Sequence, residues 1–173
     1  DQAAQIAMIA ERAGYDAISV SSGGSHYEST IASMYFDPGY LVPAAHRIRQ
    51  AVTIPVIAVG RIDARLAEQV IAEGKADFVA IGRGLMVDPE LPRKAQQGRY
   101  SDIAPCLSCL NCVHRGVLRD TPITCSVNPA LGRESELRLT PAVVVRHVVV
   151  VGGGPAGLEA ARVAASRGHR VTL

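Results

Sequence analysis

VIAVGRIDARLAEQVIAEGKADFVAIGRG, residues 56–84, holds two copies of one pattern, a short apolar run that ends in Gly-Arg. The first copy is Ala58-Val59-Gly60-Arg61 and the second is Ala80-Ile81-Gly82-Arg83. Between them lies a helical stretch from about Ala64 to Glu73, with Asp63 placed to accept the free N–H groups of its first turn and Gly74 placed to close its last. The runs Val56–Val59 and Asp77–Ile81 lack polar alternation, as strands do when a parallel sheet buries both their faces. Two matched βα units in tandem predict an α/β barrel of repeated units, because a doubly wound sheet would carry one glycine-rich turn rather than two.

The alternation extends upstream. Gln2–Ala13 has a helical period and stops at Gly14, Asp16–Val20 reads as a strand, and Val42–Ala51 reads as a helix. The polar connection from Ser21 to Pro38 is long for a compact domain, and loops of that size tend to carry function. Downstream, Asp88-Pro89 is expected to open a last short helix that Gly98 closes. Periodicity fails from Pro105 to Pro129, and Leu131–Arg146 mixes charge, proline and valine without a helical face. Regularity returns with Val148–Val151 as a buried strand, Gly152–Gly157 as a tight turn, Leu158–Arg167 as a helix and Arg170–Leu173 as a strand. The predicted organisation is therefore the last strands and helices of a (β/α)₈ TIM barrel over 1–104, a metal-organised segment over 105–130, a linker over 131–146 and the first βαβ unit of a Rossmann-like domain over 147–173. The sequence begins at Asp1 within a helical pattern and stops at Leu173 within a strand. It reads as an internal piece, with the other barrel strands expected upstream.

Composition narrows the partners. A net charge of +2 with interspersed signs provides no basic stripe for nucleic acid or for an anionic membrane. The apolar run around Val143–Val151 is broken by Arg146 and His147 and is too short to span a bilayer, and nothing resembles a signal peptide. A cytoplasmic location is the default expectation.

All four cysteines fall in one segment, as Cys106-x2-Cys109-x2-Cys112-x12-Cys125. Three closely spaced thiolates on a curling loop and one remote thiolate can converge on a cubane, which makes [4Fe–4S] the favoured reading. Zinc is the competitor, although structural zinc usually takes paired knuckles from two loops; disulfides rank behind both. At Gly60-Arg61 and Gly82-Arg83, glycine would let backbone N–H groups approach an anion and arginine would add a forked, permanent cation. The plainer reading of each is a strand end followed by a solvated side chain. Gly152-x-Gly154-x-x-Gly157 follows a valine strand and opens a helix, the context in which this pattern marks dinucleotide binding. The acidic residue that would contact a ribose is not among these residues, so FAD, NAD and ADP stay unseparated. His26 lies in the long loop after a strand, on the side where barrels do chemistry, and is a candidate proton donor against the plainer reading of a solvated loop histidine.

These motifs in this order resemble the old yellow enzyme relatives that carry an iron–sulfur linker, the 2,4-dienoyl-CoA reductase and trimethylamine dehydrogenase group. The resemblance implies an FMN-binding barrel with Gly60, Arg61, Gly82 and Arg83 at the FMN phosphate. It implies a [4Fe–4S] cluster on Cys106, Cys109, Cys112 and Cys125, and a domain for FAD or ADP and NAD(P)H that begins with Gly152, Gly154 and Gly157. Ser22–Glu28 is similar to the reductase loop that carries an active-site histidine, which places His26 in the catalytic role. The implied function is NAD(P)H-dependent reduction of an activated C=C bond, in an unsaturated carbonyl or enoyl thioester, with electrons relayed from FAD through the cluster to FMN. The cysteine spacing is closer to the amine dehydrogenase branch, where an amine is the substrate and an electron-transfer protein the acceptor. A non-catalytic, zinc-stabilised nucleotide-binding module is the alternative from outside enzymes.

Overall fold

A computed structural model describes residues 2–22 and 31–173, which divide into two compact units, Asp1–Gly132 and Arg133–Leu173. In the first unit the order is α1 (Gln2–Arg12), β1 (Ile18–Val20), α2 (Val42–Arg49), β2 (Val56–Ala58), α3 (Ala64–Ala72), β3 (Phe78–Val79), α4 (Gly82–Val87) and α5 (Leu91–Gln96). The strands pair in parallel in the order β1-β2-β3, with Ile18 opposite Val56, Val20 opposite Ala58 and Ala58 opposite Val79. Each strand thus lies beside its neighbour in sequence with a helix between, the order that tandem βα units produce.

The core forms where β2 meets the helices. Val56 and Ala58 are fully buried, and Ala7, Val20, Ala45, Ile48 and Val70 close around them. Small and β-branched side chains let sheet and helices approach closely. Polar groups fix the elements at their ends. The Glu11 carboxylate at the end of α1 accepts from Thr53 N (2.7 Å), Thr53 Oγ1 (2.6 Å) and Ile54 N (3.2 Å), which holds α1 against the chain entering β2. Asp63 caps α3, its Oδ1 accepting from Leu66 N at 2.8 Å, and Gly74 closes that helix at φ +64°. Both were expected from the sequence.

Three expectations are corrected. Gly82-Arg83 is the first turn of α4 rather than an open turn, so β3 gives way to a helix with almost no loop. Two glycines, both weak helix formers, hid this. Asp88-Pro89 does not open the next helix, which starts at Leu91; the buried Asp88 carboxylate turns back to Glu90 N and to residues farther along. Third, Val148–Val151 is not a buried strand. In the second unit β4 spans His147–Val149, Val149 is 64% exposed and Val151 is 96% exposed.

The second unit nevertheless has βαβ form. β4 pairs in parallel with β5 (Arg170–Thr172), and α6 (Pro155–Ser166) runs between them. The stretch before β4 is tied to the end of this helix, through Ala142 N to Arg167 O at 2.8 Å and Arg167 Nε to Thr140 O at 3.1 Å. Among the described residues no helix is long and apolar enough to cross a membrane.

Candidate functional site

The carboxyl ends of β1, β2 and β3 converge on one cavity of about 480 Å³, lined by Ser22 after β1, Gly60 after β2, and Gly82 and Arg83 at the start of α4. Parallel sheets bind ligands at this end, since each strand delivers a loop to the same side. Gly60 sits at φ +112°, and a Cβ on it would lie 2.9 Å from the Tyr40 ring, so both backbone and packing demand glycine. Arg61 follows at φ +51° and donates from Nη1 to Met34 O at 3.2 Å. Gly39 N donates to Gly60 O at 2.9 Å, which pins the preceding loop to this turn. Ser22 Oγ and Tyr40 Oη meet at 3.0 Å across the mouth. A second, smaller cavity of about 170 Å³ lies alongside and brings Arg61 together with Gly82 and Arg83.

Arg83 is the unusual member. One guanidinium nitrogen, Nη1, is buried and has no hydrogen-bond partner among the described residues. A buried donor left unpaired is costly, and buried cations are ordinarily paired. An anion in the cavity would supply the missing acceptor, so the two Gly-Arg positions fit a phosphate.

The four cysteines line a third, narrow cavity, which Arg83 also borders. All four thiols are free. The segment curls because Ser108 (φ +52°) and Leu110 (φ +60°) adopt left-handed backbone between the first three of them. Curling turns backbone donors toward sulfur: Ser108 N reaches Cys106 Sγ and Val127 N reaches Cys125 Sγ, each at 3.4 Å. The Asn111 N–H, the Ser126 hydroxyl and the Arg83 charge hold the Cys109 thiol below its ordinary value. Burial pushes Cys112 up, reinforced by the negative charge that Cys106 and Cys109 would carry and opposed by the Val113 N–H and Arg83. Among the described residues no group of three or more His, Cys, Asp or Glu side chains closes on a single ion position. A zinc ion draws its thiolates to about 2.3 Å from one point, whereas an iron–sulfur cage occupies volume between them. Four thiols on one cavity, with backbone N–H groups aimed at two of the sulfurs, are a donor set of the kind an iron–sulfur cluster takes.

Both ends of this segment are clipped to one helix. Asp88, at the end of α4, accepts from Ala104 N at 3.0 Å and from Lys94 Nζ at 2.5 Å. Asn128 Nδ2 donates to Met86 O within α4 at 2.8 Å. Asn111 Nδ2 reaches Thr124 O at 3.4 Å and crosses the segment between Cys112 and Cys125. Sequence reasoning missed these residues, because Asp88 before a proline resembles a cap and lone asparagines carry no pattern.

In the second unit Gly152 stands at φ +111° and Gly154 precedes α6, whose Pro155 occupies the first turn. A Cβ on Gly157 would come within 1.9 Å of Gly152 O, so the loop folds back onto the helix only with glycine there. Nothing from a side chain caps the start of α6, which leaves its N–H groups open. His26 lies outside the described residues.

Residues 27–102 match the NADH:flavin oxidoreductase / NADH oxidase family, and residues 147–173 match the pyridine nucleotide-disulphide oxidoreductase family. The chain is 46% identical to an NADH oxidase of Thermoanaerobacter brockii, a match over 100% of this chain and 27% of that protein. It is 41% identical to a cinnamate reductase of Clostridium sporogenes, over 98% of this chain and 26% of that one. Among solved structures, histamine dehydrogenase from Rhizobium sp. 4-9 superposes with a TM-score of 0.82 at 29% identity, over 98% of this chain and 26% of that chain. The chain spans about a quarter of the length of the curated relatives it matches.

Proposed function

Since the chain belongs to the NADH:flavin oxidoreductase / NADH oxidase family, we propose that it is the portion of an NAD(P)H-dependent oxidoreductase in which a flavin site meets an iron–sulfur site. The observation that carries this reading is the unpaired, buried Arg83 nitrogen on a side chain shared by the strand-end cavity and the four-cysteine cavity. On this reading residues 1–104 belong to a (β/α)₈ barrel, 105–130 to the cluster segment, 131–146 to a linker and 147–173 to a domain for FAD or ADP and NAD(P)H. The neighbour-to-neighbour strand order of the first unit and the βαβ form of the second support it.

Gly60 and Gly82 offer backbone to the FMN phosphate, while Arg61 and Arg83 supply charge and forked donors. Cys106, Cys109, Cys112 and Cys125 hold the [4Fe–4S] cluster, and the N–H groups of Ser108 and Val127 share the negative charge of its thiolates. Gly152, Gly154 and Gly157 admit the second nucleotide's pyrophosphate to the start of α6. The bound groups supply hydride and single-electron chemistry that no side chain here can perform. His26 is the proposed proton donor to the substrate. The substrate is an activated alkene, an unsaturated carbonyl or enoyl thioester, in keeping with the likeness to a cinnamate reductase.

Anaerobic titration of the full-length protein with NADH or NADPH tests this reading. Flavin absorbance is expected to bleach and to return on addition of cinnamate or a dienoyl-CoA. A flavin that no nicotinamide reduces ends the reductase version. The likeness to histamine dehydrogenase favours a second reading, an amine dehydrogenase passing electrons to a protein acceptor. Bleaching by an amine, with indifference to nicotinamide, would select it.

A further inference from the structure

Resting on that reading, we propose that Arg83 is a positioning residue for both sites at once, and that its fixed charge sets how readily the four-cysteine site accepts an electron as well as how tightly the flavin phosphate is held. Arg83 borders three cavities of the first unit: with Gly60 and Gly82 at the strand ends, with Arg61 alongside, and with all four cysteines. It is the one charged side chain on the cysteine cavity among the described residues. Its placement is built in, because Gly82 starts α4 directly after β3 and the far end of α4 is clipped to both ends of the cysteine segment.

The consequence follows from charge balance. Uptake of one electron makes the cluster with its four thiolates one unit more negative, and a guanidinium that stays protonated stabilises the reduced form more than the oxidised form. A phosphate on Arg83 offsets that charge, so occupancy of the flavin site makes the cluster harder to reduce. The two sites are thus coupled through one side chain, and the coupling is reciprocal.

The test uses full-length holoprotein with iron content measured, and an EPR-monitored redox titration of the cluster. Arg83→Gln is expected to make the cluster harder to reduce by about tenfold in its one-electron equilibrium, a shift of about 59 mV, and to weaken FMN binding. Arg83→Lys is expected to restore the potential while FMN binding stays weak, since an ammonium keeps the charge and loses the fork. Wild-type protein stripped of FMN needs no variant: inorganic phosphate should shift its cluster potential in the same direction as Arg83→Gln. Weakened FMN binding with an unchanged potential in Arg83→Gln, or no response to phosphate in the wild type, overturns the inference and leaves the flavin and iron–sulfur reading standing. Holoprotein that contains zinc in place of iron overturns both.

Discussion

The two units come to order by different routes. The first has a core of small aliphatic side chains around β2, and its candidate site residues are placed by contacts from distant sequence: Tyr40 against Gly60, Asp88 to Ala104, Asn128 to Met86. The second has no buried residue among those described, yet its glycine-rich turn already shows the positive φ, the uncapped helix start and the tight fold-back of a nucleotide loop. A phosphate loop is backbone chemistry, fixed by glycine and proline within a few residues. Four cysteines around one cavity and an arginine between two cavities are tertiary features, and they exist only while the packing around them holds.

The sharpest way to break this comparison is at Gly157. A methyl group there meets a backbone oxygen at 1.9 Å, and no rotamer change relieves it, so the loop from Gly152 must open. In the full-length protein Gly157→Ala is expected to weaken ADP binding at the second unit by about a thousandfold, ~4 kcal/mol. Iron content and FMN binding should not change. Gly153→Ala is the control, since nothing lies within 4 Å of a Cβ at that position. Calorimetric titration with ADP checks both, and wild-type affinity in Gly157→Ala would mean that the loop is not a local construction.

What the sequence makes legible follows the same division. Asp63 and Gly74 as the ends of α3 and the Gly152–Gly157 turn are readable because capping, left-handed backbone and strand-to-helix turns are local physics. Burial is not local. Val148–Val151 has a core strand's composition, but among the described residues Val149 is 64% exposed and Val151 96% exposed. Clasps are not local either: Asp88 and Ala104 meet although α5 lies between them in the chain, and a carboxylate before proline gives no hint of a partner beyond the next helix.

Asp88 tests the tertiary side of the comparison. Burial pushes its carboxyl up, but Lys94, the Ala104 N–H and the Glu90 N–H outweigh this and hold it below the usual carboxylate range. Replacing it by Ala leaves the largely buried Lys94 with the Asp102 carbonyl but no carboxylate, and frees the chain leading to Cys106, at a cost of about 3 kcal/mol. Because the folded pKa is depressed, the stabilisation is fully present above the ordinary carboxylate pKa and disappears as pH falls through the lowered value. Urea unfolding of wild type and Asp88→Asn should therefore differ at neutral pH and converge in acid below about pH 4. A gap that persists unchanged in acid would show that the charge on Asp88 is not what clips the segment. Iron retention should fall in step with stability in Asp88→Ala, whereas Gly157→Ala should leave it alone.

The smallest effect is expected at Asp63, where the first unit uses a local device of the kind that dominates the second. Its carboxylate satisfies one N–H at the start of α3 and makes no other hydrogen bond among the described residues. Asp63→Ala should cost about 1 kcal/mol and Asp63→Asn only a few tenths, since asparagine caps as well as aspartate does. Urea midpoints would measure both. The contrast with α6 gives the result its meaning: there the helix starts at Gly154 with no side-chain cap, so its free N–H groups remain available to an anion. A serine or aspartate at position 154 would fill that role from within the chain. Gly154→Asp should thus favour the free helix while weakening ADP binding, the opposite sign from anything expected at Asp63, because a capped helix start no longer needs a phosphate.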